Sequence, residues 1–224
     1  MNRADALAAL RTRIRAAARG RNVTLVAASK SQPAGAIREL AAAGQRRFGE
    51  NYVQEALAKR RELSDLGLEW HMIGPLQSNK CEDVARHFDW LQSLDREKLV
   101  PLLDRARPAD LPPLNVLVEV NLDEESSKSG CAPGEVPALA GKVAGANRLR
   151  LRGLMAIPAP SPDPGTRRAA FARLRALFES LQNSHPQADT LSMGMSDDFE
   201  MAIAEGATMV RVGTALFGPR AARR

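Results

Sequence analysis

Val23-Thr24-Leu25-Val26-Ala27-Ala28-Ser29-Lys30 is an apolar, β-branched run that stops abruptly at a serine and a lysine. It reads as a strand buried on both faces, the habit of parallel sheets covered by helices. Ser31-Gln32-Pro33 follows, and Pro33 suits the first turn of a helix. The strand therefore delivers one amine, Lys30, to the end of a sheet. A lysine in that place can simply extend its ammonium to water. Alternatively, partial burial lowers the ammonium pKa and leaves an amine able to condense with an aldehyde or ketone. The other strand ends decide between these readings.

The chain alternates on both sides of this run. An amphipathic helix over residues 4–18 carries Ala6, Leu7, Leu10, Ile14 and Ala17 on or near one face, and Gly20 ends it. Apolar runs predict further strands at 45–49, 68–73, 88–93, 114–121, 149–155, 190–193 and 208–212. Helices are predicted at 33–43, through Val53, Leu57 and Leu63, and at 80–87, 96–105, 133–144, 167–182 and 198–205. Strict strand–helix alternation implies parallel strands joined by right-handed crossovers. Eight units predict an α/β chain, a single (β/α)8 TIM barrel with an extra N-terminal helix lying across one end. The short runs at 45–49 and 88–93 leave an open sheet as the second possibility. No internal repeat, low-complexity tract or linker divides the chain, so residues 1–224 read as one domain.

Composition narrows the class. With 44% hydrophobic and 26% charged residues, the 224-residue chain is ordinary for a soluble globular protein. Cys81 and Cys131 are its only cysteines and form no CxxC, which fits a reducing cytoplasm. No signal peptide and no run of membrane-spanning length is read, so a cytoplasmic protein is expected. The net charge of +6 comes from scattered arginines, notably Arg11, Arg13, Arg15, Arg19 and Arg21, then Arg167, Arg168, Arg173 and Arg175, and a basic tail at 220–224. No aromatic residues interleave with them as stacking platforms, which speaks against nucleic-acid binding. With no exposed apolar stripe evident, a monomer is expected.

Reacting groups of a barrel sit at the carboxyl ends of its strands. There the chain places Lys30, then Glu50 and Asn51, His71, Glu119, Met155, Ser192 and Ser196, and finally Arg211, Gly213 and Thr214. Ser192-Met-Gly-Met-Ser196 opens a helix, with Ser196 as a good N-cap and Gly194 allowing close backbone approach. Gly213-Thr214-Ala215 supplies a second helix start. Loops after strands seven and eight are where barrels hold phosphate; Asp197 and Asp198 count against an anion unless they turn into capping. Arg211 ends an apolar strand and needs a partner, either Glu119 or Glu50 or an acceptor on a ligand. His71 reads as a packed structural histidine. An amine, a phosphate cradle and a rim arginine together match pyridoxal 5′-phosphate (PLP), whose aldehyde, phosphate and ring nitrogen need those three groups.

Ala28-Ser-Lys30, Phe48-Gly-Glu-Asn51, Trp70-His-Met-Ile-Gly-Pro-Leu-Gln-Ser-Asn-Lys80, Ser127-Lys-Ser-Gly130, Leu151-Arg-Gly-Leu-Met-Ala-Ile-Pro158, Leu191-Ser-Met-Gly-Met-Ser-Asp-Asp198 and Met209-Val-Arg-Val-Gly-Thr214 span nearly the whole chain. In these motifs the sequence closely resembles the YggS/PROSC family of pyridoxal-phosphate-binding proteins, whose fold is that of the alanine racemase N-terminal domain. The resemblance implies that Lys30 carries the cofactor as an aldimine. It further implies that Ser196, Gly213 and Thr214 hold the phosphate, that Arg211 faces the pyridine nitrogen, and that Asn51 and Met155 line the pocket. Gln32 stands where many relatives carry a second lysine, which puts any role of that lysine in passing cofactor onward in doubt here.

The expected role is cofactor homeostasis, buffering or delivering PLP to apo-enzymes that depend on it. An arginine at the ring nitrogen weakens the electron sink, and racemization needs acid/base groups on both faces of the substrate carbon. Racemases of similar fold draw a catalytic tyrosine from a further β-domain, whereas Tyr52 is the only tyrosine here. The alternatives are a weak amino-acid racemase or other PLP enzyme and, more distantly, a lysine-dependent aldolase acting without cofactor.

Overall fold

A computed structural model describes residues 2–123 and 129–218, and its eight strands form one closed barrel in chain order. The strands are β1 (Thr24–Ala28), β2 (Arg47–Glu50), β3 (Glu69–Met72), β4 (Trp90–Leu94), β5 (Leu114–Glu119), β6 (Leu149–Met155), β7 (Thr190–Ser192) and β8 (Met209–Val212). Every neighbouring pair is parallel, and β8 closes onto β1 with Val26 beside Arg211 and Ala27 beside Val212. The closed arrangement disposes of the open-sheet alternative. The charged loop at 124–128, with part of the Ser127–Gly130 motif, and the basic tail at 220–224 lie outside the described residues.

Strand alternation sorts the side chains. In β1, Leu25 and Ala27 pack outward in the core shared with the helices, while Val26 points into the barrel. Thr24 opens to one end of the barrel and Ala28 to the other. Gly153 on β6 has φ +142°, and a Cβ there would lie 2.0 Å from the Thr190 carbonyl oxygen, so only glycine lets β7 come this close.

The helices between strands are α2 (Ala34–Ala42), α3 (Val53–Glu62), α4 (Cys81–His87), α5 (Val100–Ala106), α6 (Val136–Ala144), α7 (Pro164–Ser184) and α8 (Phe199–Ala204), and a single turn, α9 (Thr214–Phe217), follows β8. The N-terminal helix α1 (Arg3–Ala18) corrects the expectation that it crosses one end of the barrel. It packs against α2, α8 and α9 and so occupies the outer ring, filling the gap that one-turn α9 leaves between β8 and β1. Arg3 pairs with Glu39 of α2 at 2.6 Å and Arg13 with Glu200 of α8 at 2.9 Å, so arginines of this helix serve packing within the chain. Asn2 caps α1 by accepting from the Asp5 amide at 2.8 Å. Asn2→Ala should cost about 1 kcal/mol and lower Tm by about 2–4 °C in a thermal melt.

Boundaries moved where a side chain intervened. α7 starts three residues early because Asp163 accepts from the Gly165 and Thr166 amides, with Pro164 in the first turn. β2 starts two residues late, because the buried amide of Gln45 is bonded to the carbonyls of Leu25 and Arg47. No described helix is long and apolar enough to cross a membrane, and the described residues contain no cluster suited to a metal ion.

Candidate functional site

The carboxyl ends of the strands surround a cavity of about 250 Å³, at the small end of ligand pockets. Lys30, Asn51, Ser196, Arg211, Gly213 and Thr214 all stand on its wall, with Gln32 and Asp197 beside them. These residues come from the loops after β1, β2, β7 and β8 and from β8 itself, so barrel closure is what assembles them.

Helix α3 holds the backbone on both sides of Lys30. Lys59 Nζ donates to the Ser29 carbonyl at 2.8 Å, and Glu55 Oε1 accepts from the Ser31 amide at 2.6 Å. Ser31 has φ 61°, a left-handed conformation that costs a side-chain-bearing residue about 1–2 kcal/mol. The bond from its amide to Glu55 holds it there and turns the chain sharply after the lysine. Lys59 is itself buried and bridges Glu50 at 2.7 Å and Glu55 at 2.6 Å.

Glu50 does not stand on the rim, nor is it the partner of Arg211. It is wholly buried between β2 and α3, where it also accepts from Ser29 Oγ at 2.5 Å. Burial raises its carboxyl pKa, and the Lys59 ammonium pulls it back down.

Arg211 is 4% exposed, yet it reaches the cavity wall. Its Nη1 donates to Ser192 Oγ and its Nη2 to the Ala156 carbonyl at 3.0 Å. Burial lowers its pKa to about 10, against the opposing charges of Glu119 and Asp198, so it remains a cation at neutral pH. Glu119, also buried, is pushed up to about 7 by burial, with Asp95 adding and Arg211 opposing.

Asn51 Oδ1 is buried with no hydrogen-bond partner among the described residues, an acceptor on a cavity-lining residue and in want of a donor. Behind it, a Cβ on Gly74 would lie 2.4 Å from the Asn51 carbonyl oxygen, so the loop after β3 packs directly on the Asn51 backbone. On the other side of β1, Gly213 precedes α9, and its own missing Cβ leaves the β1 backbone close, 3.0 Å from the Ala28 oxygen. Ser196 Oγ accepts from the Ala215 amide at 3.4 Å and so ties the β7 and β8 loops together. Ser196 is not the cap of α8, which begins only at Phe199. Asp198 Oδ1 instead accepts from the Met195 amide at 2.7 Å, which commits that carboxylate within the loop, whereas Asp197 remains on the cavity wall.

Met155 is placed differently from the other expected residues. It is fully buried inside the barrel with Val26, Trp90, Leu117 and Met209, and it is not on the cavity wall. The wall instead gains Ile73, Ile157, Met195 and Phe217. Ile73 and Ile157 lie one and two residues beyond β3 and β6, the same class of position that singled out the polar residues. His71 is wholly buried and stacks on Trp90 at 5.3 Å, in keeping with a structural histidine.

The wall thus combines an amine, a guanidinium, an amide oxygen with no partner among the described residues, and two small-residue loops. Comparison with known proteins follows the same lines. The family model for the alanine racemase N-terminal domain matches residues 3–221. A Pseudomonas aeruginosa protein named pyridoxal phosphate homeostasis protein is 57% identical, over 97% of this chain and 95% of its own length. Its Escherichia coli K12 namesake is 53% identical over 96% of this chain and 95% of its own. The solved structure of PipY from Synechococcus elongatus with PLP bound superposes with a TM-score of 0.86 at 41% identity, covering 97% of this chain and all (100%) of that one. The chain belongs to the alanine racemase N-terminal domain family and, within it, to the pyridoxal phosphate homeostasis proteins.

Proposed function

We propose that this protein binds PLP at the barrel mouth and acts in its homeostasis, holding the cofactor and passing it to apo-enzymes, without robust catalysis of its own. The observation that carries this reading is the convergence of Lys30, Arg211 and the Ser196/Gly213/Thr214 loops on one small cavity. The orphaned Asn51 oxygen and the glycine at 213 fit a polar, phosphorylated ring rather than an apolar guest. When bound, PLP supplies an aldehyde for an amine and a ring that can withdraw electrons. Lys30 offers the amine, Arg211 donates to the ring nitrogen, Asn51 accepts from the ring substituents, and Ser196, Gly213 and Thr214 bind the phosphate. Met155 contributes from beneath, as part of the packed floor.

A guanidinium donor leaves the ring nitrogen unprotonated and so weakens electron withdrawal. The described cavity wall has Lys30, Asp197 and Arg211 as titratable groups, while Tyr52 lies outside it at 55% exposure and His71 is sealed in the barrel. That set supports storage over proton transfer at a substrate carbon. The large hydrophobic residues exposed on the described surface, Tyr52, Ile157 and Met195, include two at the cavity mouth, which accords with a monomer.

The test loads purified protein with PLP, fixes the attachment with borohydride and maps it. The pyridoxyl group is expected on Lys30, and attachment elsewhere overturns the assignment. Loaded protein is then mixed with a PLP-dependent apo-enzyme and a trap for free cofactor. Reactivation despite the trap supports delivery; sustained loss of optical rotation in an L-alanine solution would establish the racemase instead.

A further inference from the structure

A chain of buried polar side chains crosses the barrel interior, from β8 to β3, beneath the cavity. Arg211 Nη1 donates to Ser192 Oγ at 2.5 Å, and Ser192 Oγ donates to Gln92 Oε1 at 2.7 Å. Gln92 Nε2 then donates to His71 Nδ1 at 2.9 Å, and His71 Nε2 meets Glu69 Oε1 at 2.9 Å. His71, Gln92 and Ser192 are each 0% exposed, and the chain ends at Glu69, whose side chain is one-third exposed.

The two ends fix the direction of every bond. A guanidinium can only donate and an ionised carboxylate can only accept. Glu69 is held in its ionised form: burial raises its pKa, but the bond from His71 and the charge of Arg47 outweigh it. Glu69 therefore requires a proton on His71 Nε2, and burial keeps the imidazole neutral, which leaves Nδ1 as a bare acceptor. Only the amide nitrogen of Gln92 can face that acceptor, and its second hydrogen reaches Met209 Sδ at 3.2 Å. Its oxygen must then face Ser192, whose hydroxyl has no choice but to donate, leaving the Ser192 lone pairs for Arg211. A flipped Gln92 would put two donors on Ser192 and force the bare His71 Nε2 against Glu69. Bonds aligned head to tail also strengthen one another, so Ser192 is a better acceptor than an isolated hydroxyl.

We propose that Gln92, with Ser192 and His71, is a positioning residue for Arg211, fixing through this one-way chain the guanidinium orientation that meets the ring nitrogen of PLP. The inference rests on the binding reading above and adds to it a specific dependence on the ring nitrogen. Two of the five guanidinium N–H groups of Arg211 have partners among the described residues, on Ser192 and Ala156, which pins the plane of the group while leaving donors for the cavity.

The test compares PLP with its 1-deaza analogue, which keeps aldehyde and phosphate but has carbon in place of the ring nitrogen. Ser192→Ala removes one hydroxyl, and Gln92→Leu removes the whole amide. Each is expected to weaken PLP binding about tenfold, the scale of one buried hydrogen bond to a charged group, while changing the affinity for the deaza analogue less than about twofold. Equal losses for both ligands, or no loss for either, overturn the proposal. Failure of the unsubstituted protein to bind PLP would instead overturn the binding reading. Should Gln92→Leu not fold, Ser192→Ala and ¹⁵N NMR of the unsubstituted, cofactor-free protein still decide. A neutral His71 protonated on Nε2 is expected there, and a proton on Nδ1 at neutral pH refutes the chain.

Discussion

Lys30→Ala is expected to abolish the yellow absorption that PLP acquires on binding and to weaken PLP affinity at least about a hundredfold, roughly 3 kcal/mol. The loss should be specific to the aldehyde. Arg211, Asn51 and the Ser196/Gly213/Thr214 loops remain in place, because Lys30 stands at a loop only partly buried and the backbone around it is held by Lys59 and Glu55. Pyridoxine 5′-phosphate, an alcohol that cannot condense with an amine, should therefore bind Lys30→Ala within a few-fold of the unsubstituted protein. Lys30→Arg separates charge from nucleophilicity: it keeps a cation but cannot form the bond, and should resemble Lys30→Ala in its spectrum. Titration followed by absorbance, with equilibrium dialysis for the alcohol, measures both. A yellow Lys30→Ala protein of undiminished intensity would move the attachment to another lysine.

Lys59→Ala is expected to be the more damaging to the fold, at about 3–5 kcal/mol, because it strands a buried carboxylate. Glu50 is 0% exposed, and its Oε2 already lacks a partner among the described residues. Without Lys59 its remaining side-chain donor among the described residues is Ser29 Oγ. For a chain of this size the loss corresponds to a fall in Tm of about 6–20 °C. The pH dependence has a definite sign. Burial raises the Glu50 pKa and Lys59 opposes that rise, so removing Lys59 raises it further. A carboxyl whose folded pKa is raised favours the native state at pH below its unfolded value and loses that contribution as pH climbs through the folded one. The variant should therefore lie nearest the unsubstituted protein in acid and furthest from it at alkaline pH. Lys59→Met combined with Glu50→Gln should recover much of the loss, since no buried charge is left unpaired. Denaturant midpoints at two pH values check both statements. The same substitution releases the Ser29 carbonyl beside Lys30, so cofactor loading should fall even where the protein is folded.

The barrel was legible because its signals are local and repeated. Each apolar run is followed by an amphipathic one, and β6 falls at residues 149–155 as its pattern predicts. The polar strand ends were legible for the same reason, since position in a βα unit decides which rim a residue reaches. Glu50 was misplaced by overlooking parity: Phe48 packs in the outer core, and a residue two positions along the strand faces the same way. Its partner Lys59 lies on the following helix, a pairing that depends on how α3 docks. Asp198 was expected to lie in the first turn of α8, but its side chain bonds the Met195 amide and delays the helix. Met155 depended on the depth of the interior layers, which sequence periodicity does not encode. The Arg211–Glu69 chain joins four strands across the barrel, so no spacing along the sequence announces it.

The seam between β1 and β8 has a consequence for how the molecule comes into being. Thr24 pairs with Met209 and Ala27 with Val212, partners from opposite ends of the chain. Contacts so distant in sequence form late, since the loop entropy must be lost before they return any energy. Lys30 lies just past one side of this seam, and Arg211, Gly213 and Thr214 on the other. During synthesis, a chain that has emerged only as far as β7 holds the amine but lacks the guanidinium and the loops proposed to hold the phosphate. With the proposed site residues, cofactor capture is thus a property of the finished barrel alone. A ligand bridging the two edges also draws the closure equilibrium toward the native state by mass action, acting as a clasp on the last joint to form.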